Sequence, residues 1–332
     1  MFRGRCLFLG TRPGVGRSSG MADRNHPAEN DPERAGMSVP LRLALGMAVF
    51  GSATPVSRIV TQAMPVFVGG AIRVALGALV LAPAALRRGG LRDIALRDWG
   101  LIALIALFGM FGFSALMLYG MKMVSGVVGA AVMSTTPAVT AAGAMLFMGD
   151  RPTWRKLTAL ALAVAGVLLL NLKGGGGGSG GNLLLGSALV FGAVCCEACY
   201  TLLGKAVSER VDPLVVAFLA AALSLPLFLP FAVWQWGGFD WRAVSAGAWT
   251  AVAWYGAGTL ALGSWLWYSG LARAEGAVAA GFMGVMPASA LILSYILLGE
   301  AFVWLHLLGF GVVFAGTLLM SWEHARMSRT EK

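Results

Sequence analysis

Along most of its length the chain alternates apolar runs of about 20 residues with short polar or basic stretches, a period suited to helices crossing about 30 Å of hydrocarbon at 1.5 Å per residue. Ten spans are predicted, at residues 40–61, 66–86, 99–120, 125–148, 154–172, 183–203, 213–234, 248–271, 276–298 and 303–322. Unpaired backbone groups are costly in lipid, so runs of this length read as helices rather than open strands. The spans at 125–148 and 276–298 are rich in Gly and Ala, which suits close contact between helices. The fold class that follows is an all-α membrane protein with ten transmembrane helices.

The pattern is written twice. From Trp99 to Gly316, matching residues recur at a constant offset of 150. Trp99 matches Trp249, Ser114 matches Ser264, Gly126 matches Gly276, Met133 matches Met283, Pro137 matches Pro287, Gly149 matches Gly299 and Trp154 matches Trp304. A register this constant implies duplication of one folding unit. The units predicted are 40–172 and 183–322, five spans each, joined by the Gly-rich segment 173–182. That linker has an r.m.s. reach of roughly 17 Å and cannot lie in hydrocarbon. Five is odd, so the second unit enters the membrane from the opposite side. The prediction is two inverted five-helix repeats, the build of secondary transporters.

Charge then sets orientation. The chain is 58% hydrophobic and 12% charged, with a net charge of +10. In a soluble protein that excess would point to nucleic acid, but here the cations flank apolar spans, so the bilayer is the partner and nucleic acid is excluded. Arg87, Arg88, Arg92, Arg97, Arg151, Arg155, Lys156, Lys205, Arg210 and Arg273 fall in one set of loops. The alternate loops hold Lys122, Lys173 and Arg242. The basic side is cytoplasmic by the positive-inside rule, which puts both termini inside a cell (inner or plasma) membrane. Residues 1–36, polar and without periodicity, read as a disordered cytoplasmic segment with alternative starts at Met21 and Met37, and 323–332 as a cytoplasmic tail.

Three ionisable residues fall inside spans: Arg58, Arg73 and Glu197. A charge at bilayer depth costs about 2.5–3.5 kcal/mol even on lenient scales, so each needs a partner or a cavity. Arg58 is near a span end, where its head can snorkel to water. Arg73 is about two turns deep; a substrate carboxylate, Glu197 or exposed helix carbonyls would all suit it. Glu197, mid-span, is the candidate proton-coupling carboxylate and equally suits a cationic substrate or a hydrogen bond to a neighbouring helix. Cys195, Cys196 and Cys199 around it lack a histidine and read as packing residues, with no metal and no cofactor implied. Pro137 and Pro287 fall mid-span and free the carbonyls of Met133 and Met283; Pro55 does the same to Gly51. Breaks at matching places in inverted halves point to a midplane site and to hinges. Tyr119, Tyr200 and Tyr268 are in-span aromatics that either line a cavity or pack. Asp150 and Glu300 each end a Gly-containing helix; either they pair with neighbouring cations and bias a gate, or they mark plain helix ends.

Leu298-Gly299-Glu300, followed by the Trp304 span with Gly309, Gly311 and Gly316, resembles the "LGE" signature of the EamA-like family of the drug/metabolite transporter superfamily. Gly149-Asp150-Arg151-Pro152 resembles the same signature with Asp for Glu, and Phe50-Gly51, Arg73, Pro137 and Pro287 also fit the family pattern. The resemblance, over about residues 40–322, implies a ten-helix bundle with a central cavity gated alternately from its two sides. The function implied is secondary active export of a small amino-acid-like or drug-like metabolite, with protons as a further partner. An integral-membrane lipid-modifying enzyme is the alternative, but no paired carboxylates, His cluster or activated nucleophile supports it. A scramblase or a receptor-like sensor is a third reading.

Overall fold

A computed structural model describes residues 37–89, 94–147, 180–271, 273–274 and 282–302, with isolated positions between 154 and 165 and between 304 and 318. The expectations for residues 1–36, Asp150, most of the linker, most of spans five and ten, and the tail lie outside the described residues.

Among the described residues the regular structure is helical. Helix α1 is Val39–Ala63, α2 Val66–Arg88, α3 Leu96–Met123, α4 Gly126–Phe147, α5 Gly180–Ser208 and α6 Pro213–Trp236. These six are long and apolar enough to cross a membrane. Helix α7 runs over 246–271, just as long but richer in Trp, Tyr and Gly, and α8 is the shorter Val285–Leu298. Six spans by that measure, rather than ten, are what the described residues display. Most helices extend a few residues beyond the apolar runs, because a helix continues through polar flanks until a cap stops it. Helix α5, for example, starts at Gly180, inside the expected linker.

The helix ends follow local chemistry. Asp212 accepts from the Leu214 N–H at 2.8 Å ahead of Pro213, an N-cap with proline in the first turn. Ser125 and Ser245 cap α4 and α7 through the N–H groups of Val128 and Ala248. Gly299 takes the left-handed conformation, φ 62°, that closes α8.

Five helices are irregular among the described residues, and the irregularities of four match across the duplication. Helix α3 is π-helical over Ile105–Gly112 and α7 over Trp254–Leu262, nearly the same 150-residue offset as the sequence repeat. Helix α4 breaks between Met133 and Thr136, and α8 starts just after a turn at Met283–Gly284, again nearly 150 apart. In α1 the break is at Ser52, three residues before Pro55.

The halves interlock. Helix α2 packs on α6 and α7, α1 on α7 and α8, α3 on α5, and α4 on α5 and α8. Gly51 is where α1 crosses α8: a Cβ there would collide with the Met286 carbonyl and Ser289 Oγ. The first segment of α4, Gly126–Met133, is buried at every position, as its Gly- and Ala-rich sequence leads one to expect.

Candidate functional site

The chemistry gathers at the seam between the halves, beginning with Arg73. Gly256, in the π-helical segment of α7, has no side chain to hold that helix away from the Arg73 carbonyl. The approach brings the neighbouring Tyr255 ring under the guanidinium, with its centroid 4.4 Å from Cζ; the Phe113 ring of α3 lies 5.4 Å away. Nη1 donates to Ser114 Oγ. Arg73 is only 6% exposed. Desolvated cation–π contacts of about 2 kcal/mol, together with the charge-assisted hydrogen bond, offset a burial cost of about 2.5–3.5 kcal/mol on lenient scales. The compensation is incomplete at two atoms: Arg73 Nε and the Tyr255 hydroxyl are buried without a hydrogen-bond partner among the described residues. An unmet buried donor costs about 1–3 kcal/mol, which an arriving anionic oxygen would recover.

Across the seam, α5 contributes Glu197 and Tyr200. The Glu197 carboxyl lies 3.0 Å from the Thr136 hydroxyl, at the break in α4. Tyr200 and Tyr268 face each other with their hydroxyls 3.4 Å apart. Arg73 and Glu197 are near enough to interact electrostatically, yet no ion pair joins them. Thr136, Pro137, Glu197, Tyr200 and Tyr268 are partly exposed, whereas Arg73 and Ser114 are buried. The group therefore runs from partly exposed polar residues to a buried cation.

The break beside it is built by sequence. Pro137 has no N–H, so the Met133 carbonyl four residues earlier loses its helical partner. The hydroxyls of Ser134, Thr135 and Thr136 each lie 2.7 Å from the carbonyl three residues back, those of Ala131, Val132 and Met133. At α8 the Met286 N–H donates to the Met283 carbonyl at 3.4 Å, the acceptor that Pro287 leaves free.

The remaining expected residues lie apart from this group. Tyr119 lines an open cavity of about 550 Å³ with Gln62, Lys122, Trp234 and Gln235, at the end of the bundle where α1 meets α2. Pro55 is buried in α1. Glu300 reaches across the halves: its two carboxyl oxygens accept from the Gly126 and Val127 N–H groups, 2.5 and 2.9 Å away, capping the first turn of α4. Arg58 does not snorkel freely, since its Nη1 donates to the Met121 carbonyl at 2.9 Å and its Nε lies 3.9 Å from Glu300. The cation thus meets a helix C-terminus and the anion a helix N-terminus.

The opposite end has its own cross-half ties. Arg88 meets Asp212 at 2.5 Å, and Arg210 forks onto Asp98 at 2.6, 3.0 and 3.2 Å. Those hydrogen bonds to Asp98 hold the Arg210 proton more tightly than usual. Cys195 and Cys199 are exposed, and among the described residues no His, Cys, Asp and Glu cluster is arranged to hold a metal.

Sequence reading did not single out Thr136, Ser114 or Tyr255 as site residues. Ser114 carried a signal in its match to Ser264, and Thr136 in its place beside Pro137; Tyr255 carried none.

Comparison with known proteins fits this picture. The EamA-like transporter family model matches residues 38–172 and 184–322. An uncharacterized transporter of Bacillus subtilis, YetK, is 29% identical over 282 residues, 84% of this chain and 86% of that protein. A probable terminal-alkyne amino-acid exporter of Streptantibioticus cattleyicolor is 26% identical over 279 residues, 84% of this chain and 92% of that protein. A solved crystal structure superposes with a TM-score of 0.61 at 17% identity, covering 88% of this chain and 99% of that one, which speaks to the fold alone. With both halves matched by one family and the relatives aligned over most of their length, the chain belongs to the EamA-like transporter family and is a multi-pass membrane transporter.

Proposed function

We propose that the protein exports a small polar metabolite, amino-acid-like or drug-like, across the cell membrane by alternating access, in exchange for protons. In this reading ten spans form two inverted repeats with both termini cytoplasmic. A substrate carboxylate binds at Arg73 and Tyr255, and Glu197 carries the exchanged proton or meets a substrate cation. The observation that carries it is a buried guanidinium with an unmet donor, set across the seam from a carboxylate with which it does not pair. A cation fully neutralised by its own protein would have no reason to bind an anion. The exporter among the relatives is named for an amino-acid substrate, in keeping with a carboxylate-bearing ligand.

Counterflow in proteoliposomes with a metabolite library identifies the substrate. Uptake into inside-out vesicles with and without a pH gradient then tests coupling. Glu197→Gln keeps the shape and removes the titration, so it loses gradient-driven accumulation while retaining exchange. If Glu197→Gln responds to the gradient as fully as wild type, Glu197 does not carry the proton.

A further inference from the structure

The Thr136 hydroxyl has one hydrogen and two neighbours that accept. Its oxygen lies 2.7 Å from the Met133 carbonyl and 3.0 Å from Glu197 Oε2. A carbonyl oxygen only accepts, and so does an ionised carboxylate. With Glu197 ionised, one of the two contacts has no proton in it. With Glu197 protonated both are satisfied, because the carboxyl O–H donates to Thr136 Oγ1 and Thr136 donates onward to Met133. The carbonyl at the far end is the one that Pro137 strips of its backbone donor.

We infer that Thr136 transmits the protonation state of Glu197 to the hinge of α4. When Glu197 is protonated, the chain Glu197–Thr136–Met133 is complete and ties the two segments of α4 together across their break. When Glu197, which is partly exposed, releases its proton to water, the Thr136 hydrogen rotates from the Met133 carbonyl to Glu197 Oε2. The Met133 carbonyl is then left without this donor, and the tie across the break is lost. No other atom moves between residues, so the balance is one proton to water and one hydroxyl rotation. Thr136 is thus a positioning residue, acting on the hinge rather than on substrate.

The surroundings leave Glu197 as the group that titrates. Among the described residues, those facing it are Thr136 of α4, Arg73 of α2, Tyr255 of α7 and Tyr200 of its own helix, with Tyr268 of α7 behind Tyr200. Cys196 and Cys199 share its helix. Of these neighbours only Arg73 is charged at neutral pH.

The inference rests on the proton-coupled reading for its consequence, but its test needs no substrate. In a chain whose four cysteines are replaced by serine, spin labels at Lys122→Cys and Leu146→Cys, both exposed, report the distance across the α4 hinge in nanodiscs between pH 5 and 9. Wild type is expected to show a pH-dependent change in the distance distribution, which Thr136→Ser retains and Thr136→Val loses. Glu197→Gln, whose amide N–H donates to Thr136 as the protonated acid does, is expected to hold the low-pH distribution at every pH. A wild-type distribution that ignores pH, or a Thr136→Val distribution that follows pH as wild type does, overturns the inference. Either result leaves the vesicle assay of Glu197→Gln free to uphold or sink proton-coupled transport on its own.

Discussion

Glu300 closes the first turn of α4 from the other half of the chain, its carboxyl oxygens bonded to Gly126 N and Val127 N. Because Gly299 turns the backbone at the tip of α8, this carboxylate is delivered to a helix N-terminus, where the peptide dipoles favour negative charge. The same oxygen also lies beside Arg58, which bonds the last turn of α3. Four helices, α1, α3, α4 and α8, therefore meet at one small charge cluster.

Removing that carboxylate strips two N–H groups of their acceptor at once. Glu300→Ala is expected to destabilise the protein by about 1–2 kcal/mol, near the upper range for a partly buried charge at a helix terminus. Arg58→Ala is expected to cost less, since its contact with Glu300 is long. Thermal unfolding in detergent measures both. A Glu300→Ala midpoint equal to wild type would show that the cap contributes nothing.

Arg73 is held by planar stacking on Tyr255 and by a hydrogen bond to Ser114 that leaves Nε free, a combination that lysine's single ammonium does not reproduce. Arg73→Lys preserves the charge and is expected to weaken substrate binding at least about tenfold, because the planar fork and its free Nε are gone. Ser114→Ala should weaken it less. Counterflow half-saturation is the readout, and wild-type affinity in Arg73→Lys would move the anion site elsewhere.

At Gly51 two backbones meet without an intervening side chain. Gly51→Ala drives a methyl into the Met286 carbonyl and Ser289 Oγ, and overpacking of this kind costs about 1–3 kcal/mol. Ser289→Ala in the same chain is expected to relieve it only in part, since the carbonyl stays. Full stability of Gly51→Ala would contradict the close crossing of α1 and α8.

Orientation is open to direct labelling. In a cysteine-free background, Lys173→Cys is expected to react with an impermeant thiol reagent in intact cells and Lys332→Cys only after permeabilisation. Labelling of position 332 from outside reverses the topology.

The sequence disclosed some of this and concealed the rest for identifiable reasons. Pro137 and Pro287 announced the breaks, because a missing N–H acts locally and needs no knowledge of neighbours. Arg73 and Glu197 stood out because a charge in an apolar run is costly wherever the run packs. The partners were hidden: apolar periodicity marks which face of a helix is buried but not which helix covers it. Hence Tyr255 under Arg73, and the meeting of Glu300 with Gly126 across 174 residues, emerged only from the packed bundle. Arg58 misled for the same reason, since a long cation near a span end can always reach water in principle. The π-helical segments gave no compositional warning at all.

Those two segments also carry a history. A π turn typically records a single residue added to an α-helix, and Ile105–Gly112 and Trp254–Leu262 carry it at corresponding places. The 150-residue register runs through both without a gap. An insertion made separately in each copy would have needed the same accident twice. The extra residue therefore belongs to the repeated unit itself, so that the π turn beside Arg73 was in place before the duplication that set Tyr255 against it.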